Sequence, residues 1–406
     1  MREQTFIFVT GMFRSGTTLV ARMLNAHPQI AFASDPFAPV FKAFRNTAAR
    51  AHGIAIDLDA PLDDYYFHAE KQRLREAVES SDPYLPLQGW PPEELRQRIV
   101  AGASRFSARI CERLDLLNMS SFAAAIESGF SCVGVVYGDS ATRAVGFKEV
   151  WTGEFAPLIL REFPQARVIY VVRDPRAVCA SKNVHAEKYP WLFLVRQWRK
   201  LAAIGWYMKH CPEWSRRVLL LRYEDLIQAP ETVVQEISEF LGLPVSKTLL
   251  DPRLFTDGSG ETWVQNSSYF KNGRTYERGS IDKWREVLVD GELQLVEAAC
   301  YWEMRLFDYT VERFDPGAPD PVWFMSPPVV PERDLAVWIR PFSDTRPDRV
   351  VADCALDFAR HCVLTSGKTC EPWQARALAL FPELYDHLIA RERPQSPASL
   401  NQTQPT

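Results

Sequence analysis

Short apolar runs recur along the chain, and each is closed by glycine or by charged and polar residues. The clearest runs lie at 6–9, 30–33, 144–147, 168–172 and 218–221. Runs of this length between turn residues are typical of strands that are buried on both faces. Helical periodicity follows several of them; after the first, one helical face collects Leu19, Val20, Met23 and Leu24. The alternation predicts an α/β fold with a central parallel sheet flanked by helices.

Residues 40–143 interrupt this alternation. The segment is mainly helical in pattern, with breaks at 80–83 and 89–92, and its apolar residues recur at helical spacing as far as Leu117. We therefore predict a helical insertion over the mouth of the functional site, since such segments commonly determine specificity.

The C-terminal part of the chain differs in composition. Eight prolines fall between Pro316 and Pro347, which predicts an extended strap rather than a further core. A helical pattern returns from Ala352 to Arg391, and we expect the polar tail beyond it to be disordered. The predicted organisation is a main domain (1–310), a proline-rich strap (311–349), a helical extension (350–393) and a tail (394–406).

Composition and charge narrow the class of protein. The chain has 406 residues, of which 47% are hydrophobic, as in ordinary globular proteins. A net charge of −4 gives no support to nucleic-acid binding. The eight cysteines form no CxxC pair, so we expect reduced packing residues rather than a metal site. No apolar run approaches the ~20 residues that cross a bilayer, and the first strand leaves no room for a signal peptide. We expect a cytoplasmic protein.

The loop after the first apolar run carries the strongest chemical signal. Gly11 and Gly16 enclose it, and a helical pattern begins behind it. A strand, a small-residue loop and a helix N-terminus together present backbone N–H groups to an anion. The glycine spacing nearly matches the nucleotide P-loop, but Thr17 stands where the lysine belongs and Arg14 carries the charge instead. This displacement argues against an ordinary ATPase or kinase.

Two segments resemble the donor-binding motifs of the sulfotransferases, which use 3′-phosphoadenosine 5′-phosphosulfate (PAPS). The residues from Arg14 to Leu19 (RSGTTL) resemble the loop for the 5′-phosphosulfate. Arg173, at the end of an apolar run, and Ser181, eight positions later, resemble the 3′-phosphate site. Arginine suits this task because its planar guanidinium binds phosphate oxygens bidentately. The pattern is most similar to the tyrosylprotein and carbohydrate types, which implies a P-loop-like fold.

The resemblance implies roles around the donor. Arg14 would bind the bridging region of PAPS, and the 5′-phosphate would be held by Ser15, Gly16, Thr17 and Thr18. Tyr223 would contact adenine, and Ser268 and Lys283 belong to a late segment that closes over the nucleotide, with Ser268 at the sulfuryl end.

The same resemblance suggests catalytic groups. Lys148 is similar to the lysine that lies near the transferring sulfuryl group, although the adjacent Glu149 could neutralise it. Asp35 is the candidate base, because it lies 21 positions beyond Arg14, where the tyrosylprotein enzymes carry a glutamate.

Histidine is the alternative base, and the candidates are His27 and His185. His27 precedes a proline at a helix end, which suggests a packing role, and His185 could instead touch the 3′-phosphate. Because protein donors would stand in for a divalent ion, we predict no metal requirement.

The resemblance implies transfer of a sulfuryl group from PAPS to an acceptor hydroxyl, with a glycan, glycolipid or small natural product favoured. Peptide tyrosine sulfation is an alternative, and a P-loop small-molecule kinase or a non-catalytic nucleotide-binding regulator are alternatives of another class. Four arginines run beside the apolar stripe of the insertion: Arg98, Arg105, Arg109 and Arg113. They form either a solvated helix face or a basic wall that receives an acidic acceptor.

Overall fold

A five-stranded parallel sheet forms the centre of the molecule. The structure is a computed structural model that describes residues 4–181, 191–263, 276, 278–321, 324 and 347–392. Within these residues the sheet has the order β2-β3-β1-β4-β5. The strands are β1 (Thr5–Gly11), β2 (Ile30–Ser34), β3 (Ala144–Lys148), β4 (Ala166–Val172) and β5 (Val218–Arg222). Every neighbouring pair is parallel. The predicted central parallel sheet flanked by helices is confirmed.

Helices surround the sheet and make up the segments outside it. In chain order they are α1 (Thr17–Asn25), α2 (Ala38–Ala51), α3 (Ala69–Ser80), α4 (Pro92–Ala103), α5 (Phe122–Tyr137), α6 (Ala156–Glu162), α7 (Pro175–Cys179), α8 (Trp191–His210), α9 (Tyr223–Gln228), α10 (Pro230–Leu241), α11 (Gly279–Asp282), α12 (Trp284–Val287), α13 (Asp290–Leu306), α14 (Pro347–Thr365), α15 (Pro372–Ala379) and α16 (Pro382–Glu392). None of the described helices combines the length and apolarity needed to cross a membrane.

Alternate side chains of the strands enter two different cores. On β1, Phe6 and Phe8 join the core beneath α2, α5, α6 and α8, whereas Ile7 and Val9 join the core beneath α1 and α10. This division follows from the pleat of a strand, which turns successive side chains to opposite faces. The predicted apolar face of α1 lies in the second core, with Val20 and Met23 fully buried.

The segment between β2 and β3 is helical, as its pattern indicates, but it is not one continuous stripe. Helix α4 ends at Ala103, and a 3₁₀ helix at Ala108–Leu116 follows after a break. The break contains Ser107, whose hydroxyl hydrogen-bonds the main chain of β2. The apolar positions of the insertion therefore belong to two separate helices rather than to one, and the predicted continuous helical spacing as far as Leu117 is wrong.

The segment from Trp284 to Leu306 is also divided into two helices. Helix α12 ends at Val287, and α13 begins at Asp290. The Glu292 carboxylate accepts the N–H of Val289 at 3.2 Å, so the second helix has its own N-terminal cap.

The C-terminal helices α14 to α16 pack against the main domain. The rings of Tyr207 and Phe381 stack with centroids 3.9 Å apart. Buried ion pairs join the two parts: we call them the ion-pair cluster, which consists of Arg199, Glu303, Asp357 and Arg360. Most of the predicted strap and the whole of 394–406 lie outside the described residues, so the proposed domain division stays a prediction.

Candidate active site

The candidate residues meet at one edge of the sheet. In a parallel sheet the carboxyl ends of all strands lie together, and ligands of open α/β sheets bind there. Gly11 ends β1, Asp35 follows β2, Lys148 ends β3, Arg173 follows β4 and Tyr223 follows β5. Four predicted site residues, and the glycine that opens the predicted anion-binding loop, thus fall on the same edge.

The loop between β1 and α1 depends on its two glycines. Gly11 has φ 148°, and a Cβ there would lie 2.2 Å from the carbonyl oxygen of Val171 on β4. Gly16 has φ 94°, and a Cβ there would lie 2.4 Å from Cδ2 of Tyr223. Both backbones therefore approach their neighbours more closely than any residue with a side chain permits.

This loop offers several donors to an anion. The first N–H groups of a helix have no intrahelical partner, and those of α1 begin at Thr17, directly after the loop. The Ser15 hydroxyl is buried and makes no hydrogen bond to the described part of the chain. Arg14 takes a positive φ of 68°, an uncommon conformation for a residue with a side chain. A buried hydroxyl without a partner beside a helix N-terminus fits a phosphate group.

The two predicted phosphate sites come into direct contact. Nε of Arg14 donates to the hydroxyl of Ser181 at 2.7 Å. Nη1 of Arg173 donates to the carbonyl oxygen of Arg14 at 3.0 Å. Arg173 is 93% buried, and its Nε makes no hydrogen bond to any described residue. The arrangement fits a ligand that carries two anionic groups a short distance apart.

Tyr223 lies beside Arg173, together with Ser280, a residue that the sequence did not single out. The Arg173 guanidinium lies 4.2 Å from the centroid of the Tyr223 ring. Ser280 accepts from Nη2 of Arg173 at 2.7 Å through its carbonyl oxygen, and its hydroxyl lies 3.0 Å from that of Tyr223. Lys283 directly follows helix α11, which contains Ser280. Ser280 has no motif around it, so only the fold reveals its role.

Asp35 and Lys148 form the second half of the site. The Lys148 ammonium lies 2.5 Å from Oδ2 of Asp35 and 3.2 Å from the hydroxyl of Thr18. Lys148 therefore connects the candidate base to the phosphate loop. Asp35 adopts a positive φ of 50°, and its Oδ1 makes no hydrogen bond within the described ranges. One carboxylate oxygen is thus held by the lysine, and the other keeps its lone pairs.

The ion pair of Lys148 is with Asp35 rather than with the adjacent Glu149. The Glu149 carboxylate accepts the N–H of Phe37 at the start of α2, while Lys148 pairs with Asp35. Successive residues of an extended chain point to opposite faces, which separates the two side chains. Burial, and to a lesser extent the nearby Asp35 charge, raise the pKa of Glu149 well above its usual value.

His27 lies away from this edge and has a structural role. It lies beyond the C-terminal end of α1, where its Nε2 is 3.0 Å from the carbonyl oxygen of Pro244 and its Nδ1 accepts the N–H of Gln29. The other candidate histidine, His185, and the candidate Ser268 lie outside the described residues.

The four arginines of the insertion do not form one continuous wall, because the helix breaks between them. Arg98 pairs with Glu94 and Asp59, and Arg113 pairs with Asp115. Arg109 donates to the carbonyl oxygen of Val136 and lies over the Tyr137 ring, whereas Arg105 is exposed. The four arginines therefore do not point in one common direction toward an acceptor.

None of the eight cysteines is joined in a disulfide. Across the residues that the structure describes, no three His, Cys, Asp or Glu side chains converge as metal ligands would. The absence of a metal requirement stays a prediction.

Known proteins resemble this chain over most of its length. Carbohydrate sulfotransferase 3 from Homo sapiens is 31% identical over 179 residues, which are 36% of this chain and 34% of that protein. The chain thus spans about a third of the length of this human relative. Carbohydrate sulfotransferase 5 from Mus musculus is 24% identical over 356 residues, which are 76% of this chain and 81% of that protein.

One solved structure with a partial likeness is the sulfotransferase domain from the Synechococcus PCC 7002 olefin synthase. It has a TM-score of 0.46 and 18% identity, and the match covers 77% of this chain and 98% of that domain. The sequence model of the sulfotransferase family matches residues 7–247, which include both predicted phosphate motifs, Asp35 and Lys148. The chain belongs to the sulfotransferase family.

Proposed function

We propose that this protein transfers a sulfuryl group from PAPS to a hydroxyl group of an acceptor. The observation that supports this most is the meeting of two groups of residues at one sheet edge. Arg14, Ser181 and Arg173 form a site for two anionic groups, and Asp35 with Lys148 lies beside it. A donor with phosphates at both ends of its ribose, next to a carboxylate base, matches this arrangement.

The residues around the loop would bind the donor. The N–H groups at the start of α1, with the hydroxyls of Ser15 and Thr18, suit the 5′-phosphate. Arg173 and Ser181 suit the 3′-phosphate, since the buried Nε of Arg173 still has hydrogen-bonding capacity. When bound, PAPS supplies the sulfuryl group, and the 5′-phosphate that carried this group is the leaving group.

Arg14 and Lys148 would stabilise the charge that develops during transfer. The Lys148 ammonium already contacts Thr18 at the phosphate loop, and it supplies from β3 a cation that the loop lacks at Thr17. Positioned cations of this kind lower the barrier when negative charge accumulates on a leaving phosphate.

Asp35 would be the base. As the acceptor oxygen forms its bond to sulfur, the hydroxyl proton passes to the carboxylate, and the electron pair of the breaking S–O bond stays on the phosphate. Oδ1 of Asp35 suits this task because Oδ2 is held by Lys148 and Oδ1 is not bonded to any described residue. The Asp35 side chain as a whole is 19% exposed, while Oδ1 itself is buried.

A carbohydrate hydroxyl is the acceptor that we propose. The support comes from the two relatives, both of which are carbohydrate sulfotransferases. Glycans, glycolipids and glycosylated natural products all present such hydroxyls.

The test is a transfer assay with ³⁵S-labelled PAPS and separate pools of oligosaccharides, glycolipids, small phenols and tyrosine peptides. We expect label in a carbohydrate pool, inhibition by 3′-phosphoadenosine 5′-phosphate (PAP), and unchanged rates in EDTA. Label in tyrosine peptides alone would refute the carbohydrate acceptor. Loss of transfer in EDTA would refute the metal-free mechanism, and no PAP binding by calorimetry would refute the whole proposal.

A further inference from the structure

Ser107 lies at the free edge of β2, where the insertion meets the sheet. Its side chain is completely buried. The Ser107 hydroxyl accepts the N–H of Ser34 at 2.8 Å and donates to the carbonyl oxygen of Ser34, also at 2.8 Å. One hydroxyl therefore satisfies both main-chain groups that Ser34 turns away from β3.

The bond to the Ser34 carbonyl fixes the peptide group that leads into Asp35. The same planar peptide contains the N–H of Asp35, which donates to the carbonyl oxygen of Lys148 at 2.7 Å. Ser107 thus holds the oxygen end of this peptide, and β3 holds its nitrogen end. The next torsion along the chain is φ of Asp35, which has the uncommon positive value of 50°.

Backbone strain of this kind persists only when the surroundings hold it in place. The Asp35 carboxylate reaches Lys148 from this conformation, with Oδ2 2.5 Å from the ammonium. If the peptide were released, Asp35 could relax to a negative φ, and its carboxylate would leave the position that it has beside Lys148.

Ser107 is itself held by its neighbours in the insertion and beyond. The carbonyl oxygen of Phe106 accepts from Arg22 on α1 at 3.4 Å. Gly258 packs so closely that a Cβ there would lie 2.0 Å from the same oxygen, and the Tyr137 hydroxyl donates to the carbonyl oxygen of Gly258 at 2.9 Å. Any shift of this part of the insertion would therefore move Ser107 and the peptide that it holds.

We propose that Ser107 is a positioning residue that keeps Asp35 in its left-handed conformation and so couples the insertion to the catalytic base. This inference rests on the proposed sulfuryl transfer with Asp35 as the base. Ser107 does not touch the reacting atoms; it acts through the Ser34–Asp35 peptide.

The test compares Ser107→Ala with wild type in the PAPS transfer assay and in a double-mutant cycle with Asp35→Asn. We expect kcat to fall about 10–100-fold, since small displacements of a catalytic group have effects of this size. KM for PAPS and the Kd of PAP should stay within about twofold of the wild-type values, because the donor loop does not depend on Ser107. In the Asp35→Asn background, Ser107→Ala should have almost no further effect on kcat.

A second readout does not require activity. Amide hydrogen exchange should speed up at Asp35 in Ser107→Ala, because the peptide loses one of its two anchors. Ser107→Cys keeps the shape but donates more weakly, and it should show a smaller change in the same direction. This variant also serves if Ser107→Ala fails to fold. The matched control is Ser81→Ala, since the Ser81 hydroxyl is buried in the same insertion and bonds to none of the described residues.

The outcomes separate the two proposals. Wild-type protein that binds PAP but transfers no label would remove the proposed function. Active wild type with unchanged kcat and unchanged exchange at Asp35 in both serine variants would overturn the role of Ser107. An equal loss of kcat from Ser107→Ala in the wild-type and Asp35→Asn backgrounds would also overturn it, because the effect would then not pass through Asp35.

Discussion

Nε of Arg14 donates a hydrogen bond to the hydroxyl of Ser181 at 2.7 Å, although 167 positions separate the two residues in sequence. Arg14 comes from the loop after β1, and Ser181 follows α7 after β4. The residues predicted for the 5′-phosphosulfate and for the 3′-phosphate of one donor therefore share a hydrogen bond.

Arg173→Ala should weaken binding of PAP far more than binding of adenosine 5′-phosphate. The loss of a charge-assisted phosphate contact costs about 1.5–3 kcal/mol, and only PAP carries the 3′-phosphate. Calorimetric titration with both nucleotides measures the difference. An equal loss for both would mean that Arg173 acts only through its bonds to Arg14 and Ser280.

Asp35→Asn should lower kcat by about 10²–10⁴-fold while donor binding survives, because the amide keeps the shape but is a very weak base. Steady-state kinetics with saturating donor, together with PAP titration, separates these effects. Asp35→Glu tests the carboxylate separately and should retain partial activity. Near wild-type turnover by Asp35→Asn would exclude Asp35 as the base.

Gly16→Ala should lower donor affinity by at least about tenfold. A Cβ at this position would lie 2.4 Å from the Tyr223 ring. The alanine would also have to adopt the φ of 94° that Gly16 has. Gly53→Ala is the control, since Gly53 has φ 66° and its Cβ would meet nothing within 4 Å in the described structure. Both variants carry a backbone strain of about 1–3 kcal/mol, visible in denaturant unfolding. Donor titration should separate them, and equal PAP affinity in Gly16→Ala and wild type would contradict the close contact with Tyr223.

Glu149→Gln should flatten the dependence of stability on pH. Because burial raises the pKa of Glu149 in the folded state, the folded protein holds this proton at pH values where the unfolded chain has lost it. The free energy of unfolding therefore falls as pH rises above the unfolded value of about 4.5, by up to ~1.4 kcal/mol per pH unit from this group.

Urea unfolding at pH 5.5 and pH 8 measures this slope. Between pH 5.5 and pH 8, the free energy of unfolding should fall less in Glu149→Gln than in wild type. The exposed Glu127→Gln serves as the control and should leave the slope unchanged. If the free energy of unfolding of Glu149→Gln changes with pH as steeply as that of wild type, the pH dependence comes from other groups.

Asp357→Asn should destabilise the protein by about 1.5–3 kcal/mol, the size of a charged hydrogen bond. The Asp357 carboxylate lies 2.7 Å from Nη1 of Arg199, which is 1% exposed and cannot regain its hydration. Thermal and urea unfolding measure the loss. Asp386→Asn, at an exposed position of α16, is the control and should change stability by less than about 0.5 kcal/mol.

The strand ends and the glycine loop could be predicted from the sequence because their signals are local. The apolar run of β1, the spacing of Gly11 and Gly16, and Arg173 at the end of another run each occupy a few consecutive residues. The common edge then follows from the parallel order of the strands.

Contacts between distant segments gave no such signal. Ser280 and Ser107 lie in polar stretches that carry no motif. The carbonyl oxygen of Ser280 accepts from the Arg173 guanidinium, and the Ser107 hydroxyl donates to the carbonyl oxygen of Ser34, just before Asp35. The break after α4 likewise has no local signal in the sequence, and the residue within it that contacts β2 is Ser107. Glu149 was placed beside Lys148 by adjacency in sequence, whereas an extended backbone turns the two side chains apart.

The ion-pair cluster has a practical consequence for any shortened version of this protein. Arg199 and Glu303 belong to the part of the chain before residue 310, but their partners Asp357 and Arg360 belong to α14. A chain cut at residue 310 would lose both partners from α14 and keep only the Arg199–Glu303 contact at 3.9 Å, and breaking buried ion pairs in this way is strongly destabilising. The C-terminal helices and the sheet should therefore unfold in a single cooperative transition, and a recombinant form for assays or crystals should extend through residue 392.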